Sequence, residues 1–159
     1  MIRLTKMADY GIVVLTHFAR TAGELHSARA LAEATHLPLP TVSKLLKQLV
    51  QKSLLESHRG ASGGYRLARP AARISVADIV EALDGPVALT DCDSGECEIS
   101  RSCGVKPHWN KLTETLYQAL SSLSLSELAQ PVHNPLVPLG TLQLQRATVP
   151  TQAVKGART

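Results

Sequence analysis

The chain has 159 residues, 44% of them apolar, and a net charge of +4, enough apolar content for a small core and too much for a wholly disordered chain. Only five side chains are aromatic, Tyr10, Phe18, Tyr65, Trp109 and Tyr117, which argues against a single-strand binder that stacks bases on rings. No apolar run approaches the ~20 residues of a membrane span, and the short run Gly11 to Leu15 follows Arg3, Lys6 and Asp9 rather than a secretion signal, so a soluble cytoplasmic protein is expected.

Charge is unevenly spread. Residues 1–70 carry ten Lys/Arg against four Asp/Glu, residues 71–106 three against seven, and residues 107–159 four against two. A basic N-terminal half points to a polyanionic partner. All three cysteines, Cys92, Cys97 and Cys103, fall within twelve residues. An odd number without a secretion signal does not make a disulfide framework, and clustering points to a bound metal or a redox role.

Apolar positions Ala8, Ile12, Leu15 and Ala19 recur at helical spacing and predict a first helix from about Lys6 to Arg20, ended by Gly23. Ser27 can cap a short second helix, Ala28 to Ala34. His36–Leu37–Pro38 makes a turn, because the residue before a proline is pushed out of helical space. A third helix starts near Pro40, where a missing N–H costs nothing, and runs to about Lys52. Val42, Leu45, Leu46, Leu49 and Val50 give it one buried face. Thr41, Ser43, Lys44, Lys47, Gln48 and Gln51 form the other, polar and positive with no acid.

The stretch HRGASGGYRLARP, residues 58–70, reads as two short extended pieces around Gly60, Gly63 and Gly64, decorated by Arg59, Arg66 and Arg69. Helix, helix, turn, helix and a basic hairpin is the order of a winged helix-turn-helix. In that arrangement Thr41, Ser43, Lys44, Lys47 and Gln48 face base edges and phosphates of a DNA operator, with Ser62 and Gly63 at the wing tip. Arg59 either enters a narrow minor groove or pairs with Glu56 on the surface. The third helix taken alone could equally be a solvated amphipathic helix. The short helix and turn before it and the wing after it decide for DNA.

Ser75 or Val76 to Leu83 predicts another helix, stopped at Asp84–Gly85–Pro86, and residues 86–106 read as a loop. From about Pro107 to Leu123 a long helix places Trp109, Leu112, Leu116, Ala119 and Leu123 at steps of 3, 4, 3 and 4, a heptad seam that favours pairing with another helix. Ser126–Ala129 adds a turn, and residues 131–159 read as a mobile tail. The division expected is a DNA-binding domain at 1–84, a cysteine loop at 85–106, a dimerisation helix at 107–130 and the tail. The fold class is mainly α, with a small β-hairpin wing.

Four residues separate Cys92 from Cys97 and five separate Cys97 from Cys103. A structural zinc site opens with two ligands two to four residues apart and closes with a fourth ligand, whereas irregular loops of thiolates suit an iron–sulfur cluster. Three incidental thiols are the plain alternative. Without a CxxC pair or a Cys–His pair, a thiol-redox enzyme is not expected.

Together the opening MIRLTKMADYG, the hairpin RGASGGYRL, the helix SVADIVEAL, the three cysteines and a tryptophan six residues after the last of them resemble the iron–sulfur transcription regulators that include IscR and the nitric-oxide sensor NsrR. The resemblance covers about residues 1–130 and is nearest to the branch that controls cluster-assembly (SUF-type) operons. It implies a homodimer on double-stranded DNA, with crossed long helices and a cluster, two-iron ahead of four-iron, in a loop beside the DNA-binding unit. Neither a membrane nor a small-molecule substrate is implied.

By resemblance Cys92, Cys97 and Cys103 are thiolate ligands, although the first gap is one residue shorter than in IscR. IscR has a histidine ligand where this chain has Lys106, and His108 lies two residues further on. In NsrR-like members an N-terminal aspartate reaches over from the partner subunit, and Asp9 holds that position; it is otherwise an ordinary surface acid. Arg59 matches the wing arginine. Pro38, Pro40 and Ser43 stand where IscR has two serines and a glutamate, and Lys44 replaces a glutamine, so no operator sequence carries over. The remaining histidines, His17, His26, His36, His58 and His133, are expected in surface or packing roles.

Overall fold

The computed structural model describes residues 3–60, 63–91, 97–99 and 102–131. Cys92, Ser62, His133 and the expected tail from residue 132 onward lie outside the described residues. Six helices and one hairpin follow in order: α1 Lys6–Arg20, α2 Ala28–Thr35, α3 Leu39–Gln51, β1 Leu55–His58, β2 Gly64–Leu67, α4 Val76–Asp84, α5 Lys106–Ser121 and α6 Leu125–Ala129. A short 3₁₀ turn at Ala71–Arg73, unforeseen in the sequence, joins β2 to α4.

Local chemistry sets most of these boundaries. Thr5 caps α1, its hydroxyl accepting from the amides of Met7 and Ala8, and Ser27 caps α2 by accepting from Ala30 N–H. Ser75 with Asp78, and Ser124 with Glu127, form reciprocal capping boxes at α4 and α6. The Ser124 hydroxyl and amide hold the Glu127 carboxyl below its usual range. Helix α1 closes at Thr21 rather than at Gly23, whose φ of +90° belongs to the following turn. Helix α5 stops at Ser121, so Leu123, expected in its seam, falls in the connection to α6.

Val14, Leu15 and Phe18 of α1 meet Leu31 of α2 and Val42, Leu45, Leu46 and Leu49 of α3 in one core, closed by Leu54, Leu55, Ile74, Ile79 and Leu125. Burial of these side chains supplies the main drive to fold, on the order of 1.5–3 kcal/mol each. Gly11 lets α4 approach α1, since a β-carbon there would overlap the side chain of Leu83. Backbone pairing adds two ties. Val76 N–H donates to Leu123 C=O at 2.9 Å and Leu125 N–H donates to Ile74 C=O at 2.7 Å, binding the start of α4 to the start of α6. Arg20 Nε then donates to Ala129 C=O at 3.1 Å.

The hairpin is antiparallel, with Leu55 opposite Leu67 and His58 opposite Gly64. It starts earlier than its glycines imply, because Leu55 anchors β1 in the core. A third strand segment is a single residue. His26 N–H donates to Tyr65 C=O at 3.0 Å and Tyr65 N–H donates to His26 C=O at 2.9 Å. Gly64 leaves room for that pairing, since a β-carbon on it would lie 2.8 Å from the carbonyl oxygen of His26. Replacing Gly64 with Ala is therefore expected to force the wing off its root. A loss of ~1–3 kcal/mol in urea unfolding, with faster exchange of the Tyr65 amide, is the expected outcome.

Candidate nucleic-acid interface and cysteine loop

Four fully buried side chains, Val42, Leu45, Leu46 and Leu49, turn one side of α3 into the core. A helix fixed on that side must present the other outward. Pro40, Lys44, Lys47 and Gln51 are exposed there, with Ser43, Thr41 and Gln48 half-buried at the edges. The turn between α2 and α3 passes through His36, which holds a left-handed φ of 56° as the C-cap of α2.

Beside this face stands the wing. Glu56, the acid that could have held Arg59, is engaged by Arg66, its cross-strand partner, with Nη2 to Oε2 at 3.1 Å, and by His58 at 3.6 Å. Arg59 is exposed and makes no ion pair among the described residues. Gly60, at φ +125°, and Gly63, whose amide donates to Gly60 C=O at 3.0 Å, shape the tip. Arg69 turns away from the wing to Asp78 at 3.1 Å.

At the wing root two histidines expected to be scattered come together. The rings of His17 and His26 meet edge-on with centroids 5.1 Å apart, and Phe18 packs on His26 at 5.4 Å. The Thr21 hydroxyl donates to His17 C=O at 2.9 Å, so it accepts from His26 Nε2–H at 2.7 Å. Glu24 stands 3.9 Å from the same nitrogen. Burial first, then the neighbouring His26 and Arg20, lowers the pKa of His17 from its ordinary 6.5.

Cys97 and Cys103 are half-buried free thiols in the segment between α4 and α5. Cys103 C=O accepts from Lys106 N–H at 3.3 Å at the start of α5. Asp9 is exposed on the first turn of α1 and shares a shallow cleft with Arg3, Leu4, Thr5 and Lys6. His108 is exposed on the first turn of α5. Among the described residues, which do not include Cys92, no three His, Cys, Asp or Glu side chains converge on one point. The donor chemistry nevertheless suits a thiophilic group, since the two described thiols are unpaired by any disulfide.

One tie that sequence reasoning missed links this segment to α1. The Thr5 hydroxyl donates to Asp84 Oδ1 at 2.5 Å while Thr5 N–H donates to Asp84 Oδ2 at 3.3 Å. Asp84 is the last residue of α4, so the loop leaves the body beside the N-terminus of α1. Helix α5 has no buried residue. Trp109, Leu112 and Tyr117 are 38%, 51% and 38% exposed, and a cleft of about 370 Å³ opens between Leu4, Val80, Val87, Leu89, Leu116 and Leu120.

Residues 4–131 match Rrf2, the iron-dependent transcriptional regulators. The chain belongs to the Rrf2 family. Protein aau3 of Rhizobium meliloti (strain 1021) is 30% identical over 131 residues, covering 80% of this chain and 85% of its own. Among solved Rrf2-like structures, T. potens IscR superposes with a TM-score of 0.63 at 26% identity, over 80% of this chain and 85% of that one. CymR of B. subtilis, described as its global cysteine regulator, gives 0.66 at 25% identity over 81% of this chain and 97% of that one. The winged-helix architecture and a role in transcription regulation follow from these likenesses, and no helix among the described residues is long and apolar enough to cross a membrane.

The His17 site makes stability depend on pH with a definite sign. Folding opposes protonation of His17, so its contribution is whole above 6.5, the ordinary value, and is lost as pH falls from there through the lowered folded value. Urea midpoints between pH 7.5 and 5.5 are expected to fall, and His17→Gln to flatten that fall.

Proposed function

We propose that this Rrf2 regulator acts as a homodimer that binds double-stranded operator DNA and changes its affinity with the state of an iron–sulfur cluster held by Cys92, Cys97 and Cys103. The observation that carries the DNA half is the outward face of α3, cationic and free of acids, beside an Arg59 left unpaired among the described residues. In this reading α3 lies in the major groove, with Thr41, Ser43, Lys44, Lys47 and Gln48 at bases and phosphates. Arg59 enters the minor groove, and Ser62 and Gly63 approach the backbone. The exposed apolar residues of α5 and the cleft at its base support pairing with a second copy.

Cys92, Cys97 and Cys103 would hold the cluster, with Asp9 of the partner subunit or His108 as the fourth ligand, and it would supply a bond between loop residues that depends on iron supply or redox state. The remaining work falls to the chain itself. Asp84 holds one end of the loop on Thr5, and the turn at Cys103 sets where α5 begins. Altered order in the loop thus reaches α5 and the spacing of two recognition helices. Two half-sites a helical turn apart, or a multiple, must match that spacing. Coupling of ~1–3 kcal/mol, or roughly 5–150-fold in affinity, is the typical range for such linkage. Control of cluster-assembly genes fits the likeness to IscR. A nitric-oxide or redox signal is the second reading, supported by the likeness to CymR, described as a global cysteine regulator.

Purified without oxygen, the protein is expected to be brown, with iron and acid-labile sulfide in equal amounts. Cys97→Ala is expected to lose both together with regulated DNA binding, while its far-ultraviolet circular dichroism stays unchanged. A colourless protein with about one zinc per chain would refute the cluster and leave DNA binding standing. Lys47→Ala is expected to weaken binding similarly on all duplexes and to reduce the slope of log K against log salt by about 1.

A further inference from the structure

The leading turn of α3 is apolar where a DNA-reading helix is usually polar. Leu39 is 40% exposed, and Pro38 and Pro40 beside it are exposed as well. Pro40 shares its outward face with Lys44, one turn further on, and with Lys47. The N-terminal residues of such a helix are the ones that meet base edges.

This turn offers a phosphate fewer backbone N–H groups than helix N-termini commonly do. Pro38, the N-cap, offers no side-chain cap bond, and it and Pro40 lack an N–H. The Thr41 amide is already donated to Pro38 C=O at 2.9 Å. Nor can Leu39 or Pro40 pair with a base through a side-chain hydrogen bond. Charge on the same face still points to the occupant, since Lys44 and Lys47, with no acid on that face, favour a polyanion alongside. In the major groove of DNA the apolar partner is the 5-methyl group of thymine.

We propose that Leu39 and Pro40 together form an apolar reading tip that selects thymine by its 5-methyl group in each half-site. The inference rests on the reading of α3 as the groove-binding helix, and it gives that helix its base preference: methyl contact at the leading turn, lysine contact behind it. Such a tip also distinguishes DNA from RNA-like uracil.

Selection from a random duplex library with the full chain, both as purified without oxygen and after removal of iron by a chelator, identifies the preferred site. A thymine is expected at a fixed position of each half-site. Uracil at that position should weaken binding about fourfold per half-site, the size of one methyl group losing its apolar contact. Leu39→Ala and Pro40→Ala should make thymine and uracil equivalent there, and Leu39→Met should restore the difference. Thermal unfolding is expected to be little changed in each variant, Leu39 being largely outside the core. A uracil penalty equal in wild-type and variant chains, or sites without such a thymine, overturns the reading tip while leaving DNA binding intact. A chain that selects no sequence in either form overturns both.

Discussion

The insertion of Val42, Leu45, Leu46 and Leu49 into a core built with α1 and α2 is the constraint on which the interface depends. A helix has two sides, and fixing one by apolar burial orients every polar group on the other without any polar contact having to do so. Lys44 and Lys47 therefore need no partner within the protein to face outward. Truncating such a core leucine would cost about 2–5 kcal/mol, a sizeable part of the 5–15 kcal/mol stability typical of a domain. Orientation of the outward face of α3 and survival of the fold are thus one requirement.

The wing depends on the same core by a different route. Leu55 enters it directly, while β2 is held from the far side by the backbone of His26. His26 is in turn oriented by Thr21 and crowded by His17 and Phe18. The position of Arg59 therefore reflects packing on α1, passed to the hairpin through His26. With Glu56 taken by Arg66 across the strand pair, the tip retains an uncompensated guanidinium among the described residues. This is an arrangement that favours a polyanion over an internal ion pair.

Much of this was legible in the residues alone. Helical periodicity located α1, α2, α3 and α4 to within a residue or so, because each has one strongly apolar face and a capping residue or proline at its start. The order of elements pointed to a winged helix. What escaped was non-local. Neither the pairing of His26 with Tyr65 nor that of the Ser75 and Ser124 segments leaves a periodic mark, since each is a bridge of one residue pair. The meeting of His17 with His26 depends on the turn at Thr21–Gly23, and the Thr5–Asp84 contact spans almost the whole DNA-binding unit. Helix α5 read correctly as a helix with an apolar seam, but its end was misplaced because Leu123 continues the spacing after the backbone has left the helix.

The bridge between Ser75 and Ser124 has a topological consequence. It fixes both ends of an excursion that runs through α4, the cysteine segment and α5. For a segment closed in this way, the entropy of joining its ends rises only logarithmically with length. Residues can be gained or lost between the cysteines at small thermodynamic penalty, without moving α3 or the wing. A first cysteine gap one residue shorter than that of IscR is the kind of drift this closure permits. The cysteine segment can thus change in length while α3 keeps its place in the core.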